Sequence, residues 1–470
     1  MDPRVQHISL PHPLLPRIGG LAERMGLEVY VVGGYVRDLL LGTVVNDIDI
    51  LVMGDGVRFA HAVSRELDIH PVVPFERFGT AMIPIENGKL EFVGARKEEY
   101  EHSSRKPMVQ PGTLTDDLLR RDFTVNAIAV ALQGDRFGVV EDPLGGRADM
   151  ERRLLRTPLD PEQTYSDDPL RMMRAVRFAA QLRFTLEKKS LDSISTLRDR
   201  IRIVSQERIS DELLKLLKTP APSVGFRLLH ETGLLDLVFP ELAAMAGVDQ
   251  RREHHHKDVL LHTLLVVDNL AAVSDNLWLR FAALVHDIAK PRTKAFLEGV
   301  GWTFHGHEEI GARMMKKIFQ RMRFSNEHLL YVEKLIRLHL RPMALVDEVV
   351  TDSAVRRMVF EAGESVDDLM TLCRADITSK NPVLVSRVLR NYDLVLKKVK
   401  EVEDKDRLRN WQPPVRGDEI MAVCGISPGR KVGELKKAIE EAILDGKIPN
   451  EHDAALRYLL EVKNGILDAV

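Results

Sequence analysis

The sequence predicts an α+β chain in which a small mixed sheet is followed by an all-helical remainder. Three observations carry that prediction. Strand-length apolar runs with turn-type flanks crowd the stretch from residue 20 to about 150. From about Asp160 onward helical periodicity takes over, as in DDPLRMMRAVRFAAQL and RISDELLKLLKT. At 470 residues the chain exceeds one ordinary core, so about two to four domains are expected.

Taken in order, the predicted strands are EVYVVGG, NDIDILV, FGTAMIPI, KLEFVGA and FGVVEDP. A break rich in glycine, proline and histidine, FPELAAMAGVDQRREHHHKD, marks a boundary near residues 240 to 255. The prolines of NWQPPVRGDEI mark another near residue 410. The expected organisation is therefore 1–150, 151–240, 241–400 and 401–470. The formal net charge is -3, so any nucleic-acid partner must meet local basic patches rather than a global positive field. Cys373 and Cys424 stand far apart, outside any CxxC pattern, which argues against a disulfide framework or a cysteine-based zinc site. No apolar run reaches spanning length and the N-terminus has no signal-peptide shape, so a soluble, cytoplasmic protein with no membrane association is expected.

The informative stretch is VVGGYVRDLLLGTVVNDIDILV, residues 31 to 52. In a strand, alternate side chains share a face, so Asp47 and Asp49 point the same way and Ile48 and Ile50 the other. Two adjacent carboxylates repel, and a divalent cation is the usual remedy. Magnesium takes few carboxylates and completes its shell with water and phosphates. Two such ions about 4 Å apart stabilise both the attacking and the leaving oxygens of a phosphoryl-type displacement. Gly33 and Gly34 follow a strand and precede a short helix, where backbone can approach a triphosphate closely and the helix N-terminus favours anions. Arg37, one turn in, has the fork for phosphate oxygens.

The order strand–GG–xxRD–G–DxD–strand resembles the nucleotidyltransferase signature of the DNA polymerase beta superfamily. Its flanks are similar to the bacterial-type (class II) tRNA nucleotidyltransferases and poly(A) polymerases. The resemblance implies that Asp47 and Asp49 hold catalytic Mg2+, with a third carboxylate on a neighbouring strand, for which Glu91 in KLEFVGARKE is the candidate. DDLLRRDFTVNAIAV could be a solvated helix face, yet it resembles the family's second motif, which implies a nucleotide contact for Arg121. EDPLGGRADMERRLLRTP, with Asp142, Gly145, Gly146 and Asp149, resembles the third, which implies a hinge between a catalytic head and a neck.

SDDPLRMMRAVRFAAQLRF places Asp168, Arg171 and Arg174 on adjoining turns of a helix, with Arg177 extending the row. A carboxylate accepting from an exocyclic amine beside a guanidinium donating to a ring nitrogen fits cytosine and adenine. It misfits guanine and uracil, whose carbonyls leave the carboxylate unpaired. The segment resembles the family's fourth motif, which implies that Asp168, Arg171, Arg174 and Arg177 read the base and grip its phosphates; the family often has Glu-Asp where this chain has Asp167-Asp168.

In the C-terminal half, His262, His286, Asp287, His307, His339 and Asp376 fall in the order H…HD…H…H…D. Imidazoles and carboxylates suit a divalent transition metal, and open positions leave room for an activated water. The pattern resembles HD-domain phosphohydrolases. His254, His255 and His256 lack helical spacing and receive no role. Arg430 and Lys431 open a basic helix that has a fit to RNA phosphates and an equal fit to a solvated face.

The resemblance implies a polymerase-beta-like head followed by helical neck, HD and tail domains. It implies template-independent addition of CCA from CTP and ATP to the 3′ end of tRNA, with no obligate protein partner. The rivals are a poly(A) polymerase, a CC-only or A-only specialist, and, from another class, a metal-dependent HD phosphohydrolase with a nucleotide-sensing head. The stretch between KLEFVGA and RRDF is long enough for the flexible loop linked in the family to final A addition, which weighs against a CC-only enzyme.

Overall fold

The computed structural model describes residues 6–43, 45–76, 79–99, 108–249, 258–299, 301–347, 351–379, 381–406 and 413–468. The chain divides into two compact units, Met1–Val238 and Phe239–Val470.

The first unit is built on a mixed sheet. Its strands are β1 (Val29–Val32), β2 (Asp47–Val52), β3 (Val73–Phe75), β4 (Thr80–Ile85) and β5 (Gly88–Gly94). A separate hairpin, β6 (Arg96–Glu99) and β7 (Met108–Pro111), follows, and β8 (Ala129–Ala131) and β9 (Val140–Glu141) complete the sheet in the order β3-β4-β5-β2-β1-β8-β9. The β-branched run of β1 is central, and all four of its residues are buried. In β2, Ile48 and Ile50 are fully buried while Asp47 is exposed and Asp49 half-buried, as a period of two requires. Burying each isoleucine contributes about 1.5–3 kcal/mol, and that pins the register which displays the aspartates.

All five sequence-predicted strands are present. β8 lies in a stretch read as a helix face; there Leu114–Leu119 is α-helical, closed at its start by a reciprocal Thr113–Asp116 capping box, and Thr124–Asn126 is a 3-10 turn. A short, wholly buried run such as AVA carries no alternation to distinguish it. Beyond the sheet, a two-residue parallel pair joins β10 (Leu154–Leu155) to β11 (Thr185–Leu186). The helices Pro161–Asp167, Leu170–Leu182 and Gln206–Leu217 then pack through apolar faces that include Met172, Met173, Val176, Leu213 and Leu216.

Among the described residues the second unit is helical apart from one hairpin, β12 (Ala295–Leu297) with β13 (Gly301–Thr303), which the sequence reading did not anticipate. Its last helices, Gly417–Cys424, Arg430–Leu444 and His452–Leu467, share a core of Ile420, Leu435, Ile439 and Leu459. The triple-histidine run, the middle of the stretch between KLEFVGA and RRDF, and the Asn410–Gln412 part of the predicted third boundary lie outside the described residues. Among the described residues, no helix is long and apolar enough to cross a membrane.

Candidate active site and a second metal-ligand cluster

Strands β2 and β5 run parallel with Asp47 opposite Lys89 and Asp49 opposite Glu91. Paired residues of neighbouring strands share a face, so both aspartates and Glu91 stand together on the face away from Ile48 and Ile50. Lys89 bonds the Glu91 carboxylate. Burial, with Glu91 and Asp47 alongside, pushes the Asp49 carboxyl up to about 6 despite the pull of Arg121. A crowded set of hard oxygen donors whose charge is costly is what a divalent cation relieves, and the donor set fits magnesium.

The glycine turn is fitted to this cluster. Gly33 has φ 74°, and a Cβ there would stand 2.7 Å from Asp49 Oδ2 and 3.1 Å from Arg121 Nη1. The position is closed to any side chain because the carboxylate and the guanidinium pack against the bare backbone. Gly34 is different, since a Cβ there would meet only Arg37 Nη2, at 3.7 Å. Arg121 is aimed by Asp117, which takes its Nη2 at 2.9 Å and Nε at 3.2 Å and also bonds Arg120. Asp117 is fully buried; burial alone would raise its pKa, but the two guanidinium groups pull it below the usual carboxylate range. The sequence reading passed over Asp117, although its three- and four-residue spacing to Arg120 and Arg121 was the available signal.

The remaining arginines have internal partners. Arg37 is buried, bonded to both oxygens of Asp38 at 2.7 and 2.8 Å and to Asn126 Oδ1 at 2.7 Å. Arg174 bonds Asp122 Oδ2 at 2.9 and 2.6 Å, and Asp122 in turn accepts from Asn126 Nδ2 at 2.9 Å. Arg177 bonds Glu212 at 2.7 Å and Gln181 at 2.7 Å. These three guanidinium groups surround the Phe178 ring at 5.0, 5.3 and 4.0 Å. Asp168 and Arg171 border that network, their charges acting on Arg174 and Asp122. Asp168 ends the helix Pro161–Asp167 and accepts from Leu170 N at 3.2 Å. Arg171, one turn on, donates to the Arg120 carbonyl at 2.5 Å, which ties it to the segment carrying Arg121.

In the second unit all six ligand candidates converge. His262, His286 and Asp376 form one group and Asp287, His307 and His339 another, each with ligand atoms within 4.8 Å. Asp287 joins them, with Oδ2 3.2 Å from His286 Nε2 and Oδ1 3.3 Å from His307 Nε2. His262 Nε2 lies 2.9 Å from Asp376 Oδ1.

Helix ends explain the aim of these rings. His286 and His339 directly follow the helices Leu277–Val285 and Leu329–Leu338, and their Nδ1 atoms donate to the carbonyls of Ala283 and Ile336 at 2.8 and 2.6 Å. His307 Nδ1 does the same to Phe304 O at 2.8 Å. A carbonyl only accepts, so each Nδ1 carries a proton, and on a neutral ring the Nε2 lone pair faces the cluster. His307 Nε2 and His339 Nε2 then stand 3.3 Å apart. Facing lone pairs repel, and a cation between them is the remedy. Burial works against a proton on His286 and on His339. Asp287 and Asp376 overcome it at His286, raised to about 10, whereas His339 falls to about 4. The donor set fits a divalent transition metal. Lys290, which the sequence reading did not select, bonds Asp287 Oδ2 at 2.7 Å.

Comparison with known proteins finds matches over both regions. The family model for the poly A polymerase head domain matches residues 29–156, that for the probable RNA and SrmB-binding site of polymerase A matches 183–245, and that for the HD domain matches 259–379. An A-adding tRNA nucleotidyltransferase of Deinococcus radiodurans is 35% identical over 353 residues, spanning 73% of this chain and 78% of the relative. A CC-adding tRNA nucleotidyltransferase of Thermus thermophilus is 32% identical over 458 residues, spanning 93% and 94%. The chain belongs to the tRNA nucleotidyltransferase family. A further tRNA nucleotidyltransferase relative, the multifunctional CCA protein of Vibrio parahaemolyticus, is 32% identical over 375 residues, with 74% and 85% covered. The fold is shared with the Bacillus stearothermophilus CCA-adding enzyme in complex with CTP, at a TM-score of 0.65 and 24% identity over 97% of this chain and 99% of that one. It is shared too with the Thermotoga maritima CCA-adding enzyme complexed with tRNA, at a TM-score of 0.60 and 21% identity over 96% and 95%. Nucleotidyltransferases of this kind and HD domains are metal-dependent, and the HD-matched region of this chain carries two groups of metal-ligand candidates.

Proposed function

We propose that this tRNA nucleotidyltransferase adds CCA to the 3′ end of tRNA from CTP and ATP, without a template and with release of pyrophosphate. The observation that carries the reading is the carboxylate set Asp47, Asp49 and Glu91 beside the Gly33–Gly34 turn and Arg121. Relatives named for A addition, CC addition and multifunctional CCA activity support it. So do neighbours solved with CTP and with tRNA. Asp47 and Asp49, with Glu91, would hold Mg2+, which would supply Lewis-acid activation of an attacking hydroxyl and charge neutralisation at a leaving phosphate.

The chain's own residues do the rest. Gly33 and Gly34 let the triphosphate lie against backbone, and Arg121, aimed by Asp117, is the guanidinium that meets it. Asp168 accepts the exocyclic amine and Arg171 donates to the ring nitrogen, so cytosine and adenine satisfy both while guanine and uracil leave the carboxylate unpaired. Arg37, Arg174 and Arg177 are spent on Asp38, Asp122 and Glu212, and we assign them to positioning the nucleotide-reading helix rather than to gripping phosphate. The tRNA 3′ oxygen forms the new bond to the α-phosphorus as the bond to pyrophosphate breaks. We place this work in the cytoplasm.

The six-ligand cluster supports a second activity, metal-dependent hydrolysis of a phosphate ester. There water adds to phosphorus, the ester P–O bond breaks, and the proton leaves with the alcohol. The test of the first reading is tRNA-dependent release of pyrophosphate from CTP. Asp49→Asn is expected to abolish it and His339→Ala to preserve it. Equal release by Asp49→Asn and the native protein would discard the carboxylate assignment.

A further inference from the structure

The carboxylate face of the first unit carries a cation to which the proposed transfer reaction gives no role. Lys89 stands opposite Asp47 just as Glu91 stands opposite Asp49, so the parallel pairing of β2 on β5 gathers three carboxylates and one ammonium on one face. The two strands begin in close contact: a Cβ at Gly88 would collide with the Asn46 carbonyl, and the bare backbone lets Lys89 start directly beside Asp47. Lys89 Nζ donates to Glu91 Oε1. That bond, with the charges of Glu91, Asp47 and Asp49, favours the ammonium against the effect of burial. In return Lys89 joins Arg121 in easing the charge on Asp49.

On an ordinary surface a lysine–glutamate pair of this exposure, 40% and 39%, contributes little to stability. Here one partner is a candidate metal ligand, and the ammonium occupies an oxygen that a metal would use. Lysine is a point charge on a flexible stem, so it can stand in for a cation and leave toward solvent. A divalent ion brings twice the charge and binds several oxygens at once. The two cations repel, and they do not share Glu91 on equal terms.

We infer that Lys89 is a resident counter-ion of the carboxylate cluster: its ammonium holds Glu91 in the metal-free chain and is displaced when a divalent cation binds there. The inference rests on the assignment of Asp47, Asp49 and Glu91 to metal binding. It gives Lys89 a positioning role, because a crowded carboxylate set stays assembled in its presence without metal. The same ammonium lowers the affinity of the empty site for a divalent cation. Firm binding then waits for the triphosphate, whose oxygens complete the ligand set.

The test titrates the full chain with Mn2+, which shares magnesium's oxygen ligands, and reads free metal by electron paramagnetic resonance. Asp49→Asn supplies the blank: only binding lost in that variant is counted, which subtracts the histidine cluster of the second unit. Lys89→Met is expected to tighten this binding roughly three- to tenfold, while Lys89→Arg, which keeps the charge, stays within about twofold of the native chain. Equal or weaker binding in Lys89→Met overturns the inference and leaves the metal assignment standing. In a second arm, acetylation of Lys89 by acetic anhydride is followed by mass spectrometry. Its rate is expected to rise with Mn2+ in the native chain and not in Asp49→Asn, since displacement by metal and loss of the Glu91 partner are one event. A rate indifferent to Mn2+ contradicts displacement. If neither the native chain nor Lys89→Met shows Asp49-dependent binding, the metal assignment itself fails and the inference falls with it.

Discussion

At the scale of the residue, Gly33 shows how tightly the proposed active site is drawn. The clash of a Cβ with Asp49 Oδ2 and the positive φ act together. Gly33→Ala is therefore expected to lower transfer at least about 100-fold while the far-UV circular dichroism stays native; full activity would show that Asp49 need not stand where it does. Asp122 offers a second check. Its burial favours the neutral acid, but Arg174 and Asn126 hold the carboxyl down at about 2. A folded pKa below the unfolded one contributes stability that is complete above about pH 4 and disappears as the pH falls toward 2. Acid unfolding of the native protein should lose about 2 kcal/mol across that window, and Asp122→Asn should show a correspondingly flatter profile from a lower starting stability. Parallel profiles would mean that the ion pair is not formed. The sequence pointed to the two aspartates and the glycines because alternation and turn chemistry are local, and to Arg121 through the motif resemblance. It did not disclose that Arg174 and Arg177 have acidic partners, since Asp122 and Glu212 are 52 and 35 residues from theirs.

At the scale of the element, what was legible follows from periodicity. β1, β2, β4, β5 and β9 alternate or are flanked by turns, and each was readable. β8 is three buried residues and β12–β13 two runs of three, too short to carry a period. The parallel register of β2 on β5, which sets Glu91 opposite Asp49, is a tertiary outcome that sequence could only nominate. The same holds for the helix Leu170–Leu182, whose first turn carries Arg171 against the Arg120 carbonyl. If this element reads the base, Arg171→Ala lowers kcat/KM for CTP and ATP roughly 5- to 150-fold, the range set by 1–3 kcal/mol per contact. The variant should also narrow their advantage over UTP and GTP. An equal fall for all four nucleotides would reassign Arg171 to phosphate binding.

At the scale of the whole molecule, the proposed reading gives the chain two chemistries that draw on different parts of the inventory. The first unit uses hard carboxylate oxygens on a sheet, and the second uses imidazoles whose orientation is set by helix ends. The ligand order H…HD…H…H…D was visible in the sequence because the residue types are rare on apolar helices. The bridging place of Asp287 between two groups was not, because it depends on several helices meeting. The relatives include A-adding and CC-adding enzymes, so the number of nucleotides transferred is the sharpest statement about function. The measurement that bears on it most directly is incubation of the purified protein with magnesium and tRNA lacking its 3′ CCA, supplied with CTP, ATP or both, followed by sizing of the product. Two nucleotides added from CTP alone and three from the mixture is the predicted result. One or two from the mixture, a long ladder from ATP alone, or no extension would contradict it.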